Sequence, residues 1–130
     1  MNHVVLVLLY TKDFNEILLL FRRNNPYKGL YNGIGGKVDV DESISKSVIR
    51  EIEEELSSKH LPDILYKLEK YTFNTVTLHV YYSFVKKFEP PKCDEGILKW
   101  FPVSFINETN PSVVNDLFYF TKVIKHIHHL

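Results

Sequence analysis

Gly36-Lys-Val-Asp-Val-Asp-Glu42-Ser-Ile-Ser-Lys-Ser-Val-Ile-Arg50-Glu51-Ile52-Glu53-Glu54-Glu55-Leu56-Ser57-Ser58 decides how the rest of this chain is read. A glycine-rich turn runs into a helix that carries four glutamates in five positions. At about 100° per residue, Glu51, Glu54 and Glu55 fall within one arc of roughly 100°. Ile44, Val48, Ile52 and Leu56, spaced by four, occupy the adjacent arc and form a core-facing stripe. One edge of the helix is therefore buried, and the edge beside it is a carboxylate cluster. Like charges three or four residues apart each cost about 0.2–0.5 kcal/mol on a helix. Arg50 is placed to pair with Glu54 four residues on, which leaves three carboxylates uncompensated. A hard divalent cation with oxygen ligands is the natural counter-charge, Mg²⁺ above all, since it binds carboxylates together with substrate phosphates. The other reading is a solvated acidic face.

The spacing separates the two. Gly36, five residues to Glu42, seven more to Arg50-Glu51-Ile52, then Glu54-Glu55, resembles the signature of the Nudix hydrolases. Six positions match by type, each at a chance of about one in fifteen from average composition, so coincidence is on the order of 10⁻⁷ per window. Two positions depart from the pattern: Ser57 stands at the family's glycine and Ser58 at its following aliphatic. Both lie at the helix exit, where glycine normally supplies a left-handed cap, so the change should cost some stability or alter the loop while no ligand is lost.

Outward from the motif, Val4–Tyr10 reads as a buried strand and Glu16–Arg23 as its hairpin partner. Tyr31–Val38 is a short strand whose three glycines suggest close backbone approach. The motif helix starts at Asp41-Glu42-Ser43 and runs to about Ser58. Ile64–Phe73 and Thr75–Lys86 follow as strands, with a tight turn at Asn74. Ile97–Val103 is a further strand, and Val114–Ile127 has helical spacing. The order β-β-β-α-β-β-β-α suggests a mixed sheet between helices, in agreement with the α/β/α sandwich that the resemblance implies.

The 130 residues fit one domain, 1–130, with a core of its own. Lysine plus arginine equals aspartate plus glutamate at 16 each, so no global field favours a long nucleic acid or a membrane surface. The apolar start is interrupted by Lys12, Asp13 and Glu16 too early for a membrane span. A lone cysteine, Cys93, suits a reducing cytoplasm. The expected partner is a small nucleotide, and the expected state a monomer or homodimer.

The resemblance implies hydrolysis of a nucleoside diphosphate linked to another group, with Mg²⁺, or Mn²⁺ in its place, held by carboxylates. Carried over by position, Glu51, Glu54 and Glu55 are the metal-ligating glutamates, Gly36 supplies a backbone carbonyl to the metal, and Arg50 orients one of the glutamates. Glu42 is structural at the helix start. A further carboxylate, ligand or general base, is expected from a loop outside the motif: Glu95, then Asp94, with a solvated loop acid as the alternative. Tyr31-Asn32-Gly33-Ile34-Gly35-Gly36-Lys37-Val38 is similar to a segment of the oxidised purine nucleoside triphosphatases of the MutT/MTH branch. There the asparagine reads the base, and Asn32 takes that role or that of a turn residue. Asn115 and Asp116 match the place of an acidic pair that reads the purine, or they cap the last helix. Arg22 and Lys37 are candidates for the phosphates. The implied reaction splits a triphosphate of the 8-oxo-dGTP type into monophosphate and pyrophosphate. Rival substrates are ADP-ribose, a dinucleoside polyphosphate or a capped RNA end, and the rival class is a Nudix module that binds without catalysis. Trp100 is read as core before base stacking, and His126, His128 and His129 as solvated.

Overall fold

Strand β1 (Asn2–Thr11) is apolar on both faces because it lies inside the sheet. The computed structural model describes residues 2–24, 28–68 and 70–106. The expected helix Val114–Ile127, with Asn115, Asp116 and the terminal histidines, lies outside them. Along its whole length β1 pairs in parallel with β7 (Val76–Val85), from Asn2↔Val76 to Thr11↔Val85. Its other edge takes β4 (Ile34–Lys37) antiparallel, Val4↔Lys37 to Val7↔Ile34. The expected hairpin with β2 (Glu16–Arg22) is brief, since only Tyr10↔Ile17 face each other before the strands part. Beyond that point β2 pairs with β3 (Tyr31–Asn32) and, over seven residues, with β8 (Gly96–Pro102). The single strand expected over Ile64–Phe73 is two short ones, β5 (Tyr66–Lys67) and β6 (Tyr71–Phe73), both antiparallel to β7. Asn74, at φ +50°, turns β6 into β7. The result is a mixed sheet of eight strands among the described residues, with parallel and antiparallel pairs.

Alternation along the strands divides the core in two. Leu6, Leu8, Tyr10, Ile17 and Leu19 face one side with Val80 and Tyr82. Val5, Val7, Leu9, Leu18 and Leu20 face the other, where α1 (Ile44–Leu56) lays Val48, Ile52 and Leu56 on them. Trp100 belongs to this second core, and its indole Nε1 donates to the Phe88 carbonyl at 2.8 Å. No helix among the described residues is long and apolar enough to cross a membrane.

Helix α1 starts at Ser43, whose Oγ accepts from the Lys46 N–H at 3.2 Å. It ends at Leu56, two residues earlier than the spacing suggests, because Ser57 leaves the helix at φ +81°, ψ 160°. That region is essentially reserved for glycine. Ser57→Gly should therefore relieve about 1 kcal/mol of backbone strain and raise the melting temperature by roughly 3–6 °C, read by calorimetry. An unchanged or lower value would mean that Ser57 carries no strain.

A second local tension sits where β1 and β7 begin. His3 Nδ1 lies 2.9 Å from His79 Nε2, and the buried His79 Nδ1 has no partner among the described residues. Burial, then the charges of His3, Lys67 and Lys70, hold the His79 imidazole below its ordinary value. The unfolded chain thus takes up this proton first as pH falls, so stability drops below about pH 6.5. His79→Gln should show a smaller loss of melting temperature between pH 7.5 and 5.5 than the parent does.

Candidate active site

Four elements meet at the carboxylate edge of α1: the helix itself, the glycines of β4, the turn between them, and the loop before β8. The first junction depends on Gly36. A β-carbon there would stand 2.4 Å from Glu51 Oε1, so only glycine lets this carboxylate lie against the β4 backbone. Gly35 is confined more firmly, since its β-carbon would run into the Val5 carbonyl of the neighbouring strand, which cannot swing aside as a side chain can.

Arg50 ties the site together. Its Nε donates to Glu42 Oε2 at 2.8 Å and its Nη2 to Glu42 Oε1 at 3.0 Å, a two-pronged bond between fork and carboxylate. Nη2 also donates to the Lys37 carbonyl at 3.0 Å. Nη1 donates to Glu51 at 3.1 Å and to Glu54 at 3.3 Å, and Asp39 adds an ion pair at 3.4 Å. These bonds hold the Glu42 carboxyl down at about 2, and the guanidinium is pushed up in turn. The turn that brings Glu42 back onto Arg50 contains Asp41 at φ +66°, and the Asp39 N–H donates to Glu42 Oε1.

The glutamates differ sharply in setting. Glu54 is mostly exposed, its side chain 58% accessible. Glu51 is buried, and burial raises its carboxyl against the opposing pull of Arg50. Glu55 is 4% exposed, and among the described residues neither carboxyl oxygen makes a well-formed hydrogen bond, although Glu95 and the Gly35 backbone lie close to it. Burial, then the neighbouring Glu95 and Glu51, push it up to about 10, with only partial relief from the Gly35 N–H. Two ionised carboxylates cannot hydrogen-bond, so Glu55 and Glu95 side by side require a proton or a cation between them.

Glu95 arrives from a loop closed by the Cys93↔Gly96 bridge, and the Arg23 N–H donates to its carbonyl at 2.8 Å. Its carboxylate stands 3.9 Å from Arg22, so Arg22 faces this acid. That pairing has no signal in the sequence, because it depends on the register Arg22↔Gly96. Asn32 lies opposite Leu20 and so shares the face of α1. Its Oδ1 accepts from the Gly33 N–H at 2.8 Å, the geometry of a turn residue, while its Nδ2 meets no acceptor among the described residues. Lys37 is exposed at the end of β4. The structure thus brings Gly36, Arg50, Glu51, Glu54, Glu55 and Glu95 together; Arg22 reaches Glu95 and the Lys37 carbonyl reaches Arg50, while the side chain of Asn32 bonds within its own turn.

As they stand, no three of the His, Cys, Asp and Glu side chains among the described residues are placed to share one metal ion. Arg50 engages Glu51 and Glu54 directly. The donor set nevertheless suits a hard divalent cation: it is all oxygen, and a buried carboxyl crowded by other carboxylates is what a cation would satisfy.

A mixed sheet with a carboxylate-bearing helix entered from a glycine turn defines a class, and comparison with known proteins places the chain in it. Residues 1–119 match the NUDIX domain, so the chain belongs to the Nudix family. The Nudix domain of Shewanella oneidensis NrtR, cocrystallised with ADP ribose, superposes with a TM-score of 0.78 at 21% identity, covering 96% of this chain and 87% of that one. A MutT Nudix hydrolase from Burkholderia pseudomallei gives 0.74 at 22%, covering 93% and 95%. Likeness at this identity is one of fold. The dihydroneopterin triphosphate diphosphatase of Haemophilus influenzae is 40% identical over 55 residues, 42% of this chain and 34% of that protein. The ADP-ribose pyrophosphatase of Methanocaldococcus jannaschii is 49% identical over 41 residues, 32% and 24%. The chain thus matches these two curated relatives over about a third of their length or less.

Proposed function

We propose that this protein is a Mg²⁺-dependent pyrophosphohydrolase that splits a nucleoside triphosphate, of the oxidised purine type, into monophosphate and pyrophosphate. The observation that carries the reading is Glu55, a buried carboxyl group pressed against Glu51 and Glu95 and without a well-formed hydrogen bond among the described residues. Such a group is costly in an empty fold and useful where a cation binds. Glu51, Glu54 and Glu55, with the Gly36 carbonyl, would hold the metal. When bound, Mg²⁺ or Mn²⁺ supplies positive charge to the phosphate oxygens and acidifies a water.

The chain's own residues do the rest. Arg50 is a positioning residue: it fixes Glu51 and Glu54 relative to β4 through the Lys37 carbonyl and Glu42. Glu54, exposed and ionisable beside that fork, is our candidate to take the proton of the attacking water, with Glu95 as the second. Lys37 and Arg22 line the approach for a polyphosphate. The Nδ2 of Asn32 offers donors to a purine edge on the same face of the sheet. The choice of an oxidised purine rests on the likeness of Tyr31–Val38 to the MutT/MTH branch. The two curated relatives widen the field to dihydroneopterin triphosphate and ADP-ribose.

The test is release of pyrophosphate against phosphate from canonical and 8-oxo triphosphates, dihydroneopterin triphosphate, ADP-ribose and diadenosine polyphosphates, with Mg²⁺ and with EDTA. Pyrophosphate released only with metal, and fastest from 8-oxo-dGTP, is the expected result. Preference for ADP-ribose would overturn the substrate, and no turnover by folded, metal-loaded protein would overturn the enzyme.

A further inference from the structure

Between the segment that leaves α1 and the end of β7 lies a cavity of about 550 Å³, within the range that admits a small ligand. Residues 59–64, Tyr66 and residues 83–88 form its walls and Lys12 its rim, so it shares no residue with the carboxylate site. The Ser83 hydroxyl donates to the Ile64 carbonyl and ties the two walls together.

Charge and shape at this cavity are both specific. Lys12, Lys59, Lys86 and Lys87 border it, all exposed, against one bordering carboxylate, Asp63. Glu16 engages Lys87 at 3.0 Å. Among the described residues no carboxylate lies within ion-pair distance of Lys12, Lys59 or Lys86. The whole chain is neutral, so this positive field is a local concentration and not a reflection of composition.

The lining also carries a flat aromatic surface. The rings of His60 and Phe88 stack at 3.9 Å and 10°. Trp100 braces Phe88, edge-on at 5.5 Å, and donates its Nε1–H to the Phe88 carbonyl. Burial, then Lys59, lower the His60 imidazole, so at neutral pH it presents an aromatic face and not a fifth cation.

We propose that this cavity is a second ligand site, independent of the carboxylates, for a phosphate-bearing molecule with a planar ring: a nucleotide. Its ring would lie against the His60–Phe88 pair and its phosphates among Lys12, Lys59 and Lys86.

The test is a titration of ¹⁵N-labelled protein in excess EDTA with ADP, adenosine and inorganic pyrophosphate. The same titrations follow on a Lys59→Ala/Lys86→Ala variant and on His60→Ala, each with a parent-like amide spectrum. ADP should move the signals of residues 59–66 and 83–88. Adenosine and pyrophosphate should each bind at least tenfold more weakly than ADP, and both variants should weaken ADP by a similar factor. Shifts confined to β4 and α1 would overturn the proposal. So would variants that bind ADP like the parent, or pyrophosphate binding as tightly as ADP, which would mark diffuse charge attraction.

Discussion

Glu55→Gln should make the metal-free protein more stable and leave it unable to respond to Mg²⁺. In the fold, Glu55 is held up at about 10, while in the unfolded chain it ionises near 4.5. Between those values the unfolded state binds fewer protons, so stability falls as pH rises, by at most about 1.4 kcal/mol per pH unit. Glutamine keeps the shape and removes the ionisation. At pH 8 in EDTA the variant should melt roughly 5 °C or more above the parent, with the gap shrinking towards pH 5. Mg²⁺ should raise the melting temperature of the parent by mass action and that of the variant little, and turnover should fall by about two orders of magnitude or more. A variant that melts below the parent at pH 8, or gains equally from Mg²⁺, would show that Glu55 is satisfied by protein contacts alone.

Arg50→Lys is the second large effect. The guanidinium serves Glu42, Glu51, Glu54 and the Lys37 carbonyl at once through a planar fork, which an ammonium on a single stem cannot reproduce. Charge is conserved, so any loss reports geometry. Metal affinity or turnover should fall by about 10–100-fold, as expected when a group that orients ligands is replaced. The loss should fall on kcat more than on folding, because Glu51 and Glu54 lose the fork that fixes them. A substitution that lowers only the melting temperature, with kcat and KM unchanged, would assign Arg50 to folding alone.

Much of this arrangement was legible in the amino-acid pattern, and the part that was not has a common cause. The period-four stripe Ile44, Val48, Ile52 and Leu56 announced α1, and runs of β-branched and aliphatic residues announced β1, β2 and β7. What periodicity cannot carry is partnership. The hairpin rule joined β1 to β2, whereas the sheet gives most of β1 to β4 and β7. Likewise the four-residue rule paired Arg50 with Glu54, yet its shortest bond is to Glu42, eight residues back through a loop. That bond depends on the left-handed backbone at Asp41, an aspartate that signals nothing by itself. The spacing of the motif held these residues in register without revealing which contact each one makes. Ser57 shows the reverse: its departure from glycine was visible at once, and its strained backbone is the local consequence.

The parallel pairing of β1 with β7 also sets when this chain can fold. The first strand must wait roughly seventy residues for its longest partner, and until then the edge that β7 will cover stays open, with only β2 and β4 available to the other edge. Local contacts within α1 and the β6–β7 turn form early, but they cannot close the sheet. During synthesis, residues 2–11 therefore leave the ribosome several seconds before β7. In that interval the uncovered edge is free to pair with another chain, so slower elongation lengthens its exposure.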